Sequence, residues 1–511
     1  MQINSFYLFF LYVLFVIFTG LMLCSLKDFF CFIKAMPKAG GYLLFAVLSL
    51  SFILRLCFIK HEVFFDEPIY LNVAQNMFYH HQPGGTLQGT KLLADIIVPY
   101  NRPGGHSFLI QLLYLIFGES DNSALLLNPF LGTISVGVFF LFVYGVLNSV
   151  VVAFIGGMLL CFFPIHMVYC GSVSSEVPSL FFSLTAFLSL VLYARTRKTG
   201  LLYLALSSAI CGVYVRPENL LLFPFLILVL LYFVKEGMLP RTKIGDLCFF
   251  LIVLLLPLLV TLPSMRIEEF AANNGQFWSF RIFCQHLAIN GKYLVDGYYL
   301  PQIYILLSIL GGYFLLRCYG MLFAVALLYF LASFISYSGH YAGIFAYSNR
   351  YFFFGIIPVC LFASAGFNFI SVLCGRKWGG VISGFLLLIL IAASFTSTQR
   401  LYGRLFKHTD GREYAALLQA GRKLSDKDYV VTMEPYIVVS AWNKKAIDAR
   451  EFFRRKFPYN RVFLVKNHNW LESDYIMYER MLRQEYDFKI IYQKQFSPDF
   501  RTFIAELTKK Q

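Results

Sequence analysis

The chain has 511 residues, of which 58% are hydrophobic and only 14% charged, with a mean hydropathy of +0.65. That balance excludes an ordinary soluble domain, which is nearer half apolar, and the continuous apolar runs exclude an alternating membrane β-barrel. The formal charge is +15. With no basic helix or RNA-binding signature beside it, this excess points to loop topology and contact with anionic membrane lipids, and not to nucleic acid.

The fold class expected is therefore an α-helical polytopic membrane protein. A span needs ~20 mainly apolar residues, and about 12 candidates follow in order: 6–26, 41–59, 121–145, 150–170, 176–194, 200–215, 218–234, 246–264, 301–317, 320–338, 351–373 and 378–397. Residues 1–26 carry no basic n-region or small-residue cleavage site, so they read as a retained span.

Basic residues set the orientation. Lys27, Lys34 and Lys38 fall after the first span, Arg195, Arg197 and Lys198 after the fifth, and Lys235, Arg241 and Lys243 after the seventh. Arg317 follows the ninth, and Arg376 and Lys377 the eleventh. If these loops face the cytoplasm, the N-terminus, the 60–120 loop and residues 399–511 all face outside.

The first outer loop carries two short helices by this reading. Residues 66–80 are amphipathic, and 105–118 are apolar but too short to span, as expected of an interfacial helix. The chain divides into a membrane domain, 1–398, and a soluble domain, 399–511. The second has 22 basic residues against 14 acidic, a local net of +8. A helical stretch over 412–424 and a β-like run over 429–433 predict a small extracytoplasmic α/β domain.

The eleven cysteines are scattered, mostly inside apolar runs, with no CxxC and no metal-ligand spacing, which fits small buried apolar residues.

The polar interruptions are informative. Asp66 and Glu67 open the first outer loop, and Arg102 and His106 stand near its far end. Glu176 lies at the outer start of the fifth span, Arg216 and Glu218 at the turn between the sixth and seventh, and Arg350 and Tyr351 at the outer start of the eleventh. By the topology above all of them face one side. Ionisable residues at a membrane are functional candidates. Arginine suits phosphate because its planar fork donates two parallel hydrogen bonds, and a carboxylate can take a proton from a hydroxyl. Asp66 and Glu67 are thus candidate catalytic groups. Arg216, Arg350 and Arg102 are candidate phosphate ligands, with Glu176, Glu218, Tyr351 and His106 secondary.

These residues carry a resemblance. The run Phe65-Asp66-Glu67-Pro68-Ile69-Tyr70-Leu71-Asn72-Val73-Ala74 resembles the first-loop acidic motif of the GT-C glycosyltransferases. Among that superfamily's members are the protein O-mannosyltransferases and the lipid A aminoarabinose and galacturonic acid transferases. The segment from Arg102-Pro103-Gly104 to Glu119-Ser120 is similar to the interfacial helix of that group. Tyr214-Val215-Arg216-Pro217-Glu218-Asn219-Leu220 and Ser348-Asn349-Arg350-Tyr351 resemble its later arginine motifs, and 164–176 a further loop pattern. The span 6–26 is additional, and Pro103-Gly104 stands where a double proline is usual.

The resemblance implies a polyprenyl-phosphate-linked sugar donor, an inverting transfer on the outer (periplasmic) face of the cell inner membrane, and an envelope lipid, glycan or protein as acceptor. No cofactor is required. A divalent metal bridging Asp66, Glu67 and phosphate is compatible with hard-cation chemistry, but no ligand spacing demands one. The rival readings are a transporter or flippase of lipid-linked sugars and an O-antigen ligase-like transferase.

Overall fold

The computed structural model describes residues 2–58, 66–99, 104–240, 242–258, 278–297, 300–340, 344–345, 349–408, 421, 424–425, 428–432, 435–449, 451–452, 461–466, 480–497 and 500–510. Arg102, most of the expected helix over 412–424 and the end of the expected span 246–264 lie outside them.

Helices stand where the apolar runs are. α1 (Gln2–Ala35) and α2 (Lys38–Cys57) lead into α3 (Glu67–His80). A hairpin of β1 (Gly84–Gly89) and β2 (Ala94–Pro99) follows, and then α4 (Gly105–Phe117). Next come α5 (Asp121–Leu125), α6 (Leu127–Leu147), α7 (Val150–Cys161), α8 (Pro164–Cys170), α9 (Glu176–Thr196), α10 (Thr199–Val215), α11 (Leu222–Lys235) and α12 (Thr242–Leu255). Four further helices, Phe280–Val295, Gln302–Cys318, Gly320–Ser338 and Ile356–Leu373, precede a long helix over Gly375–His408.

Among the described residues, eight helices are long and apolar enough to cross a membrane, or nine if the bent pair α7–α8 is one span. The expected count of about 12 was larger because it included three runs whose helices are shorter: α10, α12 and Gln302–Cys318. The chain is a multi-pass membrane protein. Its core is one aromatic-rich cluster running through most of these helices.

The extra first span packs into that core. Leu11 and Leu14 of α1 are fully buried, and the Tyr7 ring lies 6.1 Å from that of Tyr214 on α10. The start of α4 meets the end of α10 closely: a Cβ on Gly105 would come within 2.5 Å of the Tyr214 carbonyl oxygen. Only glycine allows that approach.

The sheet is seven-stranded, in the order β2-β1-β4-β3-β5-β7-β6. Its C-terminal strands are β3 (Tyr429–Thr432), β4 (Lys445–Asp448), β5 (Arg461–Lys466), β6 (Tyr486–Ser497) and β7 (Phe500–Lys509). β3 runs parallel to β4 and β5. The hairpin from the first loop completes the sheet, with β1 antiparallel to β4 and Gln88 opposite Ile447. The sheet thus joins strands from both sides of residue 398, where the sequence suggests a division, and the β1–β2 hairpin and the C-terminal strands share one end of the helix bundle.

α3 is not the half-exposed amphipathic helix its sequence suggests. Ten of its residues are buried, because the hairpin covers its polar side. Asn72 Oδ1 accepts the Thr86 N–H at 2.8 Å, and Asn76 Nδ2 donates to the Gly84 carbonyl at 2.7 Å and to Thr86 Oγ1 at 2.9 Å.

The opposite end of the bundle is also marked. Lys198 pairs with Asp28 there, tying the turn between α9 and α10 to α1. α9 connects the two ends, its 21 residues spanning about 30 Å at 1.5 Å per residue.

Candidate active site

The polar residues that interrupt the apolar runs converge at one end of the bundle. α3 begins at the acidic pair, with Pro68 at a position where its missing N–H costs nothing. Asp66 and Glu67 are 5% and 1% exposed. Two carboxylates this dry need partners, since an unpaired buried charge is costly.

Asp66 finds one 284 residues away: Arg350 Nη1 donates to Asp66 Oδ2 at 2.5 Å. Arg350 is the second residue of Asn349–Gly355, a tight 3-10 turn ahead of the helix Ile356–Leu373. Its guanidinium also lies 5.4 Å from the Tyr351 ring, which in turn packs against Tyr337 at 5.0 Å. The Arg350 Nε–H is buried and makes no hydrogen bond among the described residues.

Glu67 Oε1 accepts the backbone N–H of Val173 at 3.1 Å. Val173 belongs to the short segment between α8 and α9, which is pinned on every side. Its carbonyl accepts from His106 Nε2 at 3.2 Å. Asn128 Nδ2 reaches the carbonyls of Ser172 at 2.6 Å and Ser174 at 2.8 Å, and the Tyr70 hydroxyl lies 3.3 Å from Ser175 Oγ.

The bond from His106 fixes its proton on Nε2, and burial pushes its pKa down to about 4. The Tyr70 ring meets the imidazole edge-on at 4.8 Å. His106 is therefore a neutral brace, placed by the glycine-led start of α4.

Arg216 sits where α10 ends, ahead of a 3-10 turn over Pro217–Leu221. All three of its nitrogens are engaged: Nη1 pairs with Glu176, and Nε and Nη2 donate to the Glu218 carboxylate at 3.3 and 2.6 Å. The flanking carboxylates hold the guanidinium firmly charged against burial. The Phe354 ring lies 5.8 Å below it.

Eight of the nine candidates are thus found around one end of the bundle, and Arg102 is outside the described residues. Val173, Asn128, Tyr70 and Ser175, which order the site, were missed. Backbone groups leave no sequence signal, although Tyr70 and Ser175 each stand within one turn of a chosen acid. Among the described residues, no group of three or more His, Cys, Asp and Glu converges to hold a metal.

Comparison with known proteins agrees with this architecture. Residues 101–265 match the family described as dolichyl-phosphate-mannose-protein mannosyltransferase. No curated protein sequence matches significantly. Two similar solved structures are ArnT from Cupriavidus metallidurans bound to undecaprenyl phosphate and the apo oligosaccharyltransferase of Archaeoglobus fulgidus. The first is 14% identical with a TM-score of 0.60, and covers 92% of this chain and 98% of that chain. The second is 13% identical with a TM-score of 0.57, and covers 92% of this chain and 74% of that chain. The family match covers residues 101–265 alone, and over most of its length the chain shares the fold of the two solved structures.

Proposed function

We propose that this membrane protein is a glycosyltransferase, taking its sugar from a polyprenyl-phosphate donor and passing it, with inversion, to an acceptor at the outer face of the inner membrane. The observation that carries the reading is the Asp66–Arg350 pair with its unused Arg350 Nε–H. A guanidinium at a membrane edge with spare donors suits a phosphodiester that cannot leave the lipid, and the phosphate monoester left after transfer. Undecaprenyl phosphate in the similar ArnT structure supports a donor of that kind.

The two residues then work in sequence. Donor phosphate draws Arg350 away from Asp66, and the loss of that cation makes the carboxylate a stronger base. An acceptor hydroxyl gives its proton to Asp66 while its oxygen attacks the anomeric carbon. The bond from that carbon to phosphate breaks, and Arg350 stabilises the departing lipid phosphate. Glu67, fixed by Val173, orients the acceptor. Arg216, already held by two carboxylates, shapes the cavity more than it binds phosphate, so Arg350 leads among the phosphate ligands.

An acceptor that is an envelope lipid, a glycan or a protein fits the same step. A metal is not needed in it, and transfer is expected to persist in EDTA. The test is transfer by the purified enzyme from synthetic polyprenyl-phosphate sugars, beside mass spectrometry of envelope lipids, glycans and proteins from a deletion strain. One missing glycoform identifies acceptor and sugar. An unchanged envelope and no transfer from any such donor would refute the reading.

A further inference from the structure

Arg55 stands in the last turn of α2 and is 1% exposed. Its Nη1 donates to the Ser51 carbonyl at 3.0 Å and to Ser51 Oγ at 2.5 Å. Nε reaches Cys170 Sγ at 3.3 Å, Nη1 reaches Cys161 Sγ at 3.9 Å, and Nη2 lies 2.9 Å from His166 Nδ1. None of these partners is a carboxylate. A guanidinium buried in a membrane span among neutral groups is costly, and such residues are retained for a task.

The position of those partners suggests the task. Cys161 closes α7 and Cys170 closes α8, and the two helices meet at a bend of 59°. Pro164 opens α8, so the break lacks a backbone donor. One guanidinium therefore holds both sides of a broken span against α2. α6 makes room for it: a Cβ on Gly132 would lie 2.9 Å from Arg55 Nε and collide with Cys170 Sγ. Directly after Cys170 comes the 171–176 segment, which supplies the Val173 N–H to Glu67 and carries Glu176 to Arg216.

We propose that Arg55 is a positioning residue for sugar transfer. It fixes the bend between α7 and α8, so that the 171–176 segment keeps Glu67 and Glu176 aligned with Asp66 and Arg350. The proposal rests on the glycosyl-transfer reading above. It requires the fork of arginine, because an ammonium presents its donors from one point and cannot reach both cysteines and the histidine.

The test uses the purified enzyme in lipid nanodiscs, comparing the parent with Arg55→Met, Arg55→Lys and Gly132→Ala. Three quantities are read: melting temperature, hydrogen–deuterium exchange of a peptide covering 171–176, and kcat and KM for the donor. Arg55→Met should melt at or above the parent temperature, since a buried charge is replaced by an apolar chain of similar length. Its 171–176 exchange should quicken, and kcat should fall roughly tenfold to a hundredfold, as for a small misplacement of catalytic groups, with a smaller change in KM. Lysine should not rescue kcat, and Gly132→Ala should shift exchange and kcat the same way. Parental exchange and kcat in Arg55→Met would reduce Arg55 to packing and overturn the proposal, as would full rescue by lysine. Faster exchange in a set whose parent transfers no sugar supports the brace and counts only against the functional reading.

Discussion

Asp66 and Arg350 are 284 residues apart in sequence and joined by a hydrogen bond of 2.5 Å. One opens the helix after the second span, the other the turn before the helix Ile356–Leu373. Their pairing closes the site across the bundle, and it makes specific demands on variants.

Arg350→Lys keeps the charge and loses the fork. Transfer should fall at least about tenfold, chiefly through donor KM, because a bidentate, charge-assisted contact to phosphate is lost. Lipid snorkelling predicts parental kinetics, since lysine reaches headgroups equally well. Steady-state transfer in matched vesicles separates the two.

Arg216 is a structural test. Arg216→Gln leaves Glu176 buried without its cation, a loss of roughly 3–5 kcal/mol for a broken buried pair. Arg216→Gln combined with Glu176→Gln should recover much of it. Thermal unfolding in detergent reads both, and a single variant as stable as the parent would refute the buried-pair account.

His106 gives a pH dependence. Its folded pKa of about 4 lies below the unfolded value of about 6.5, so the unfolded chain binds the extra proton. The contribution of His106 is complete above the unfolded value and is lost as pH falls from there toward 4. The melting temperature should drop over that window in the parent and drop less in His106→Asn. Identical pH profiles would remove His106 from the account.

The shared sheet fixes sidedness. Cysteines introduced at Leu93 and Lys445, both exposed, should label from the same face once the exposed native thiols are replaced. Lys198→Cys should label only from the other face. Labelling of 93 and 445 from opposite faces would contradict the pairing of β1 with β4.

The membrane architecture was legible because each span is a continuous apolar run and each outer turn interrupts it with charge. The acidic pair and the two described arginines were found that way. The hairpin at 84–99 was not. Its strands carry glycine and no clear alternation, and the partner that gives them a sheet, β4, lies some 350 residues on, with Gln88 opposite Ile447. Nothing in the sequence marks the role of Arg55, because its partners Cys161, His166 and Cys170 lie 106 to 115 residues away. Within the 171–176 segment the Val173 N–H that holds Glu67 is a backbone group, which no side-chain pattern reveals. Short-range periodicity thus reported the helices, while the site depends on contacts between distant turns.

The most direct test of the central claim is a paired measurement on Asp66→Asn: affinity for a polyprenyl-phosphate donor and turnover in the same vesicles. Removing the carboxylate frees Arg350 for phosphate and deletes the base. Donor affinity should be retained or increased, while turnover falls by about 10²–10⁴-fold, the usual contribution of a positioned acid or base. Parental turnover, or a loss confined to donor affinity, would contradict Asp66 as the base held in reserve by Arg350.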